Sequence, residues 1–217
     1  MKNKKNIIRI SIIIVFIILI SLLIILGYKM YVVHKIWDAN TNVLMENYRL
    51  TISNSSNDTT SKTYYKDGIG KVETITPDEH YYLWQNEAEK QKIIVNVNEK
   101  SYVQIEDDYY TDYSLVSLPN LLTISGNIFE QYVYFFKEGL VLDTEVYGGK
   151  EYYTLRNDTT KIWIDKETYR TIGEATYSNE STVPTIFYAL EINCVTDEDI
   201  TLPDFSTYTQ KTNGFQE

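Results

Sequence analysis

The side chains with chemistry to offer fall into a few small groups. Asp107, Asp108 and Asp112 make one acidic cluster, and Asp197, Glu198 and Asp199 make another. Carboxylates can hold a hard cation, but calcium takes about six to eight oxygen ligands, and neither run has the gapped spacing and glycine of an EF-hand loop. Both read as solvated loop charge. Asp78, Glu79 and His80 could act as acid and base, yet nothing in the pattern brings them together in a cleft, and a turn leading into a strand accounts for them. Cys194 is the only cysteine, so neither an intramolecular disulfide nor a thiolate zinc cluster can form. It alternates with Leu190 and Ile192 and reads as a small buried apolar residue rather than a reactive thiol. Two histidines, His34 and His80, leave little for metal or triad chemistry. No G-x-S-x-G, P-loop or H-E-x-x-H pattern occurs. The expectation is a non-enzymatic protein with no catalytic residue, no metal and no cofactor.

The one chemical bias is aromatic. The chain has 20 Tyr, 7 Phe and 3 Trp, with paired runs at Tyr64-Tyr65, Tyr81-Tyr82, Tyr109-Tyr110 and Tyr152-Tyr153. Neighbours in a strand point to opposite faces, so each pair places one ring on either side of a sheet. Rings on one side could line a cavity, and rings on the other could offer contact area to a partner. Ordinary strand propensity and core filling explain the same pairs.

These residues must be positioned by a chain that begins in a membrane. Ile7 to Leu26 is nearly unbroken aliphatic sequence, uncharged from Ile10 onward, with Ser11 and Ser21 its only polar residues there. As a helix it is roughly 30 Å long, about one bilayer core. A cleaved signal peptide would have a shorter apolar region and a small-residue site after it. Here Gly27, Tyr28, Lys29, Met30 and Tyr31 follow, so an uncleaved signal anchor is expected. Lys2, Lys4, Lys5 and Arg9 put the N-terminus in the cytoplasm by the positive-inside rule. Residues 1–30 hold five of the 20 basic residues and none of the 30 acids, so the remainder carries a net charge of −15. Phosphate backbones would repel such a body, which argues against nucleic acid as a partner. An anionic lipid surface would repel it too. Richness in Ile, Lys, Asn and Tyr suggests an AT-rich bacterial genome.

The expected organisation is α+β: a cytoplasmic tail (1–6), a transmembrane anchor (7–27), a juxtamembrane helix (28–47), an extracytoplasmic domain (48–209) and a flexible tail (210–217). Period-2 alternation predicts strands at 48–53, 63–66, 69–76, 80–85, 92–97 and 101–106, with a hairpin turn at Asp67-Gly68. Residues 113–139 read as helical, with Asn127 and Glu130 resembling a capping box and Gly139 a stop. A second meander runs over 140–147, 151–155, 161–164, 169–177 and 185–195, with a hairpin turn at Gly148-Gly149. The end, from Asp197, reads as an extended tail that packs and then frays.

Two meanders with helices before and between them suggest one strongly curved antiparallel sheet, a half-barrel with helices on its concave face. The pattern resembles the bacterial lipoprotein-carrier (LolA/LolB-like) superfamily. Three stretches carry the likeness: Tyr48–Thr76, Lys150–Tyr177 with its Trp163-Ile164-Asp165-Lys166-Glu167-Thr168 element, and Phe187–Tyr208. The resemblance implies a domain that accepts a lipid or lipoprotein-like ligand, here in a membrane-anchored form that cannot shuttle. Leu121, Leu122, Phe129, Val133, Phe136 and Trp163 are expected to line the cavity. Residues 113–139 are expected to form a lid hinged at Gly126 and Gly139. The partners expected are the bilayer and an apolar ligand. The alternative is a cell-envelope scaffold that docks on another membrane protein.

Overall fold

The structure, a computed structural model, describes residues 2–105, 110–121, 127–176 and 183–212, with side chains from residue 10 onward. Lys2–Asn40 form one continuous helix, α1. Its apolar run is long and uncharged enough to cross a membrane, and the rest of the chain leaves Ile10 to Leu26 uncovered. The helix then enters the domain core without a break, where Val32, Val33 and Ile36 are fully buried. It stops at Asn40, short of the expected residue 47. The Asn40 amide donates to the Ile36 carbonyl at 2.6 Å and the Tyr169 carbonyl at 2.7 Å, and its oxygen accepts from the Thr171 N–H at 2.8 Å. Asn42 then takes a positive φ of 48°, which Asn tolerates better than most residues.

Next come β1 (Val43–Leu44) and the first meander: β2 (Asn47–Asn54), β3 (Thr59–Lys66), β4 (Ile69–Ile75), β5 (His80–Asn86), β6 (Gln91–Asn96) and β7 (Ser101–Gln104). After β8 (Leu115–Val116) and α2 (Ile128–Lys137), the second meander follows as β9 (Val141–Tyr147), β10 (Lys150–Arg156), β11 (Thr160–Asp165), β12 (Thr171–Thr176) and β13 (Ile186–Ile192). The end of the chain folds as α3 (Asp197–Ile200), a 3₁₀ turn at Phe205–Thr207 and β14 (Thr209–Gln210). Both two-residue hairpins have the positive φ values a primed turn requires: 49° and 84° at Asp67-Gly68, and 57° and 81° at Gly148-Gly149.

The meanders join into one sheet of 12 strands in the order β14-β7-β6-β5-β4-β3-β2-β13-β12-β11-β10-β9. The seam is β2 against β13, antiparallel and in register from Tyr48–Ile192 to Asn54–Ile186. Among the described strands, only β14, lying parallel to β7, breaks the antiparallel rule. The sheet is open, with β9 and β14 as its edges. β1 and β8 pair separately.

Each face is covered by a different part of the chain. α1 and α2 pack on the second meander, where Val32, Val33, Ile36 and Phe135 meet Leu142, Tyr153, Leu155, Ile162 and Ile164. The same face of the first meander is covered by residues 110–121. That segment was expected to be helical, because Leu115, Leu118 and Leu121 fall at helical spacing. It runs instead as an irregular strap with one short strand. Ser114 accepts from the Met45 N–H at 2.8 Å, and the Leu118 N–H donates to Asn40 at 2.7 Å. Pro119 also gives its carbonyl to the Thr171 hydroxyl, so the leucines anchor a strap rather than a helix stripe. Gly70 makes room for it, since a Cβ there would overlap the Tyr113 ring. On the opposite face, the tail from α3 to β14 packs Leu202, Phe205 and Tyr208 on Tyr82, Trp84, Ile93 and Val95.

Candidate functional site

The structure does not bring the described members of the expected cavity set to one face. Asn127 caps α2, accepting from the N–H groups of Phe129 at 3.0 Å and Glu130 at 3.1 Å, and Gly139 ends it at φ 63°. The buried side of α2 is Gln131, Tyr132 and Phe135. Phe129, Val133 and Phe136, expected to face the sheet, are 69%, 50% and 57% exposed. α2 is apolar around most of its circumference, so the pattern offered two competing faces, and packing against α1 selected the other one. Leu121 packs on the α1-side cluster. Trp163 is fully buried, but Ile162 and Ile164 on either side of it face α1, so Trp163 points to the opposite face. Leu122 and Gly126 lie outside the described residues.

Trp163 belongs to a tight layer of its own. Lys161 sits 4.8 Å from its ring centre and is ion-paired with Glu145. Its Nε1 and the hydroxyl of its cross-strand neighbour Thr154 are buried without a hydrogen-bond partner among the described residues.

A groove does form elsewhere, between the C-terminal end of the apolar run and the β9–β10 edge. It holds about 470 Å³ and is lined by Ile24, Ile25, Tyr28, Leu142, Thr144 and Tyr153, with Lys29 and Asp143 also contributing. The hydroxyls of Tyr28 and Tyr153 meet at 2.6 Å. Tyr153 stacks on Tyr169 at 6.0 Å between ring centres, and Lys166 lies 5.0 Å over it. Burial, then the Tyr28 hydroxyl, push the Tyr153 phenol well above its ordinary value, so it stays a neutral donor and acceptor. No local pattern could have announced this groove, because Tyr28 and Tyr153 are 125 positions apart.

Several of the carboxylates are engaged in structure. In the Trp163–Thr168 element, Asp165 accepts from the Glu167 N–H at 3.0 Å, the Thr168 N–H at 2.9 Å and the Thr168 hydroxyl at 3.1 Å, and Lys150 pairs with it at 2.6 Å. Burial opposes its charge, but these bonds outweigh it and hold the carboxyl below the usual range. Glu73 is treated similarly: burial opposes ionisation, while His80 at 2.8 Å and then Lys71 bring it down. Asp197 pairs with Lys66 at 2.6 Å, Asp199 closes a capping box with Thr196, and Asp112 accepts from the Ser114 N–H at 3.0 Å. Asp107 and Asp108 lie outside the described residues. Cys194 is half-buried, its sulfur 3.5 Å from the Glu191 carbonyl. Among the described residues, no three His, Cys, Asp or Glu side chains are grouped to hold a metal.

No family model matches the chain, and no curated protein does. Among solved structures, it is similar to the crystal structure of an uncharacterized conserved protein from Thermus thermophilus, at 9% identity and a TM-score of 0.45, covering 86% of this chain and 99% of that one.

Proposed function

We propose that this is a single-pass membrane protein of a bacterial cell, with its N-terminus in the cytoplasm and a half-barrel domain outside, which binds an apolar chain without catalysis. The observation that carries the reading is the groove. Its walls combine residues of the apolar run, Ile24 and Ile25, with Leu142 and Tyr153 of the domain. An acyl chain from the bilayer, or one on a lipoprotein, could enter such a slot without crossing water. Tyr28 and Tyr31, both exposed, follow the run where an aromatic belt is expected at a membrane boundary. The likeness to lipoprotein carriers supports the same ligand class, with the tether making this a receiving or sensing domain.

Full-length protein in vesicles containing a photoactivatable acyl-chain phosphatidylcholine tests this. Labelling is expected at Leu142 and Tyr153 as well as along α1, and Leu142→Trp should remove the domain labelling by filling the slot. Labelling confined to α1 would leave only a span. Protease added to intact protoplasts should digest the domain; full protection would reverse the orientation.

A second reading rests on β9. It is an open edge of seven residues with Val141 and Val146 exposed, and such an edge can add a strand from another envelope protein. A site-specific crosslinker on β9 that returns one stoichiometric membrane partner would favour this scaffold role.

A further inference from the structure

We infer that α2 is an interfacial membrane helix: Phe129, Val133 and Phe136 lie at the headgroup–acyl boundary of the bilayer that α1 crosses. The inference rests on the membrane reading of α1 and adds that the domain is seated on the bilayer rather than swinging above it.

Depth is the first argument. The Tyr132 hydroxyl donates to the carbonyl of Leu26 at 3.1 Å, and Leu26 is the last residue of the apolar run. The neighbouring Gln131 meets His34 at 3.3 Å, eight residues further along α1, or about 12 Å at the helical rise. α2 therefore sits between those two levels, within the zone where headgroups begin.

Direction is the second. At about 100° per residue, Tyr132, Phe136, Phe129 and Val133 follow one another around α2 over roughly a quarter-turn or slightly more. Tyr132 opens this arc and is the residue that reaches back to Leu26. Its ring meets Phe136 edge-on at 4.9 Å. The exposed arc thus continues from the side of α2 that already faces the span. Glu130 and Lys137 come after Val133, on the side turned away.

Phe129, Val133 and Phe136 are uncovered together, and such patches mark contacts. Amphipathic helices of this kind bury their apolar side about 5–10 Å into the boundary. The net acidity of the domain does not forbid it. α2 itself carries Glu130 as well as Lys137, so its binding is apolar in origin and requires no anionic lipid.

The test uses the full chain in phosphatidylcholine nanodiscs, with Cys194→Ser and one new cysteine carrying an environment-sensitive fluorophore. Val133→Cys and Phe129→Cys report on α2, Ile17→Cys on the span, and Asp158→Cys on a distant turn. The quenchers are two nitroxide lipids, one labelled near the headgroup end of the acyl chain to read 129, 133 and 158 and one near its methyl end to read 17. Quenching at 133 and 129 is expected to exceed that at 158 by about fivefold and to approach that at 17. Adding Phe136→Asp should lower it at 133 and leave 17 unchanged. Quenching at 17 with 133 and 129 no different from 158 overturns the interfacial helix while the span stands. Absence of quenching at 17 removes the span, and this inference with it. Labels unquenched by lipid but shielded from aqueous iodide, with the unlabelled Val133→Cys chain forming disulfide-linked pairs on oxidation, would give the face to a second copy of the chain.

Discussion

The two halves of the sheet are held by opposite kinds of cover. On the β9–β13 half, a helix anchored in the apolar run supplies aliphatic side chains, and Ile36, Leu155, Ile162 and Ile164 are fully buried against one another. On the β3–β7 half, Phe205 and Tyr208 of the tail supply aromatic ones, with Phe205 tilted against Tyr102 at 4.2 Å between ring centres. The helix is pinned at Asn40, whose side chain and carbonyl together tie α1 to the 110–121 strap and to β12. The tail is held by the Trp84 indole, whose Nε1 donates to the Ile200 carbonyl at 2.7 Å, by surface ion pairs such as Lys66 with Asp197, and by a two-residue strand. A cover that is long and buried opens only with the whole domain, whereas a short terminal cover can open alone. The difference separates a half whose cover opens only with the whole domain from a half whose cover can open alone.

The largest expected effects fall in the half that α1 covers. Trp163→Ala should cost about 3–5 kcal/mol, since it empties a fully buried site in a central strand. Trp163→Phe should cost far less, because the indole nitrogen has no hydrogen bond among the described residues to lose. Chemical denaturation of the full chain in detergent measures both; equal losses would mean the nitrogen is bonded after all. Asn40→Ala should cost about 2–4 kcal/mol by orphaning the Tyr169 carbonyl and the Thr171 N–H together, again as a global loss.

Trp84→Phe should cost only about 1–2 kcal/mol. Its signature is local: faster hydrogen exchange over 197–210 with α1 and β10–β12 unchanged. Faster exchange everywhere would erase the distinction between the halves. Acid separates them differently. Asp165 and Glu73 both titrate lower folded than unfolded, so the unfolded chain binds more protons at low pH. Their stabilisation is complete above the unfolded values, about 3.9 for Asp and 4.3 for Glu, and is lost as pH falls through the folded ones. Asp165→Asn should flatten that acid limb in global unfolding, and Glu73→Gln should do so less. The smallest effect is at Asp58 in the β2–β3 turn. The polar sequence there suggests that Asp58→Ala does nothing, but its φ is 52°, so about 0.5–1 kcal/mol is expected, with Asp58→Gly close to neutral.

What the sequence made legible follows from where each signal was local. Asp67-Gly68 and Gly148-Gly149 determine their hairpins by themselves, and strand alternation located both meanders to within a few residues. The long apolar helix at the start of α1 was legible from composition alone. What escaped depended on distant partners. Leu115, Leu118 and Leu121 keep helical spacing, but their backbone is claimed by Met45 and Asn40, far back in the chain. Asp197–Gln210 carries few apolar residues, and its fold is set by the strands it covers. The face of α2 was misassigned because Phe129, Val133 and Phe136 outbid Tyr132 and Phe135 in apolarity, while the choice was made by α1. The groove was invisible for the same reason: its walls come from residues 24–28 and 142–153.

The unbroken course of α1 has a mechanical consequence. Because the helix runs without interruption from Leu26 to Val32, the span and the sheet turn as a single lever. The strands that α1 packs against, through Leu155, Ile162 and Ile164, are therefore coupled directly to the apolar run. If the apolar run spans a bilayer, a change in bilayer thickness that re-tilts it would be felt by β10 and β11 without any ligand.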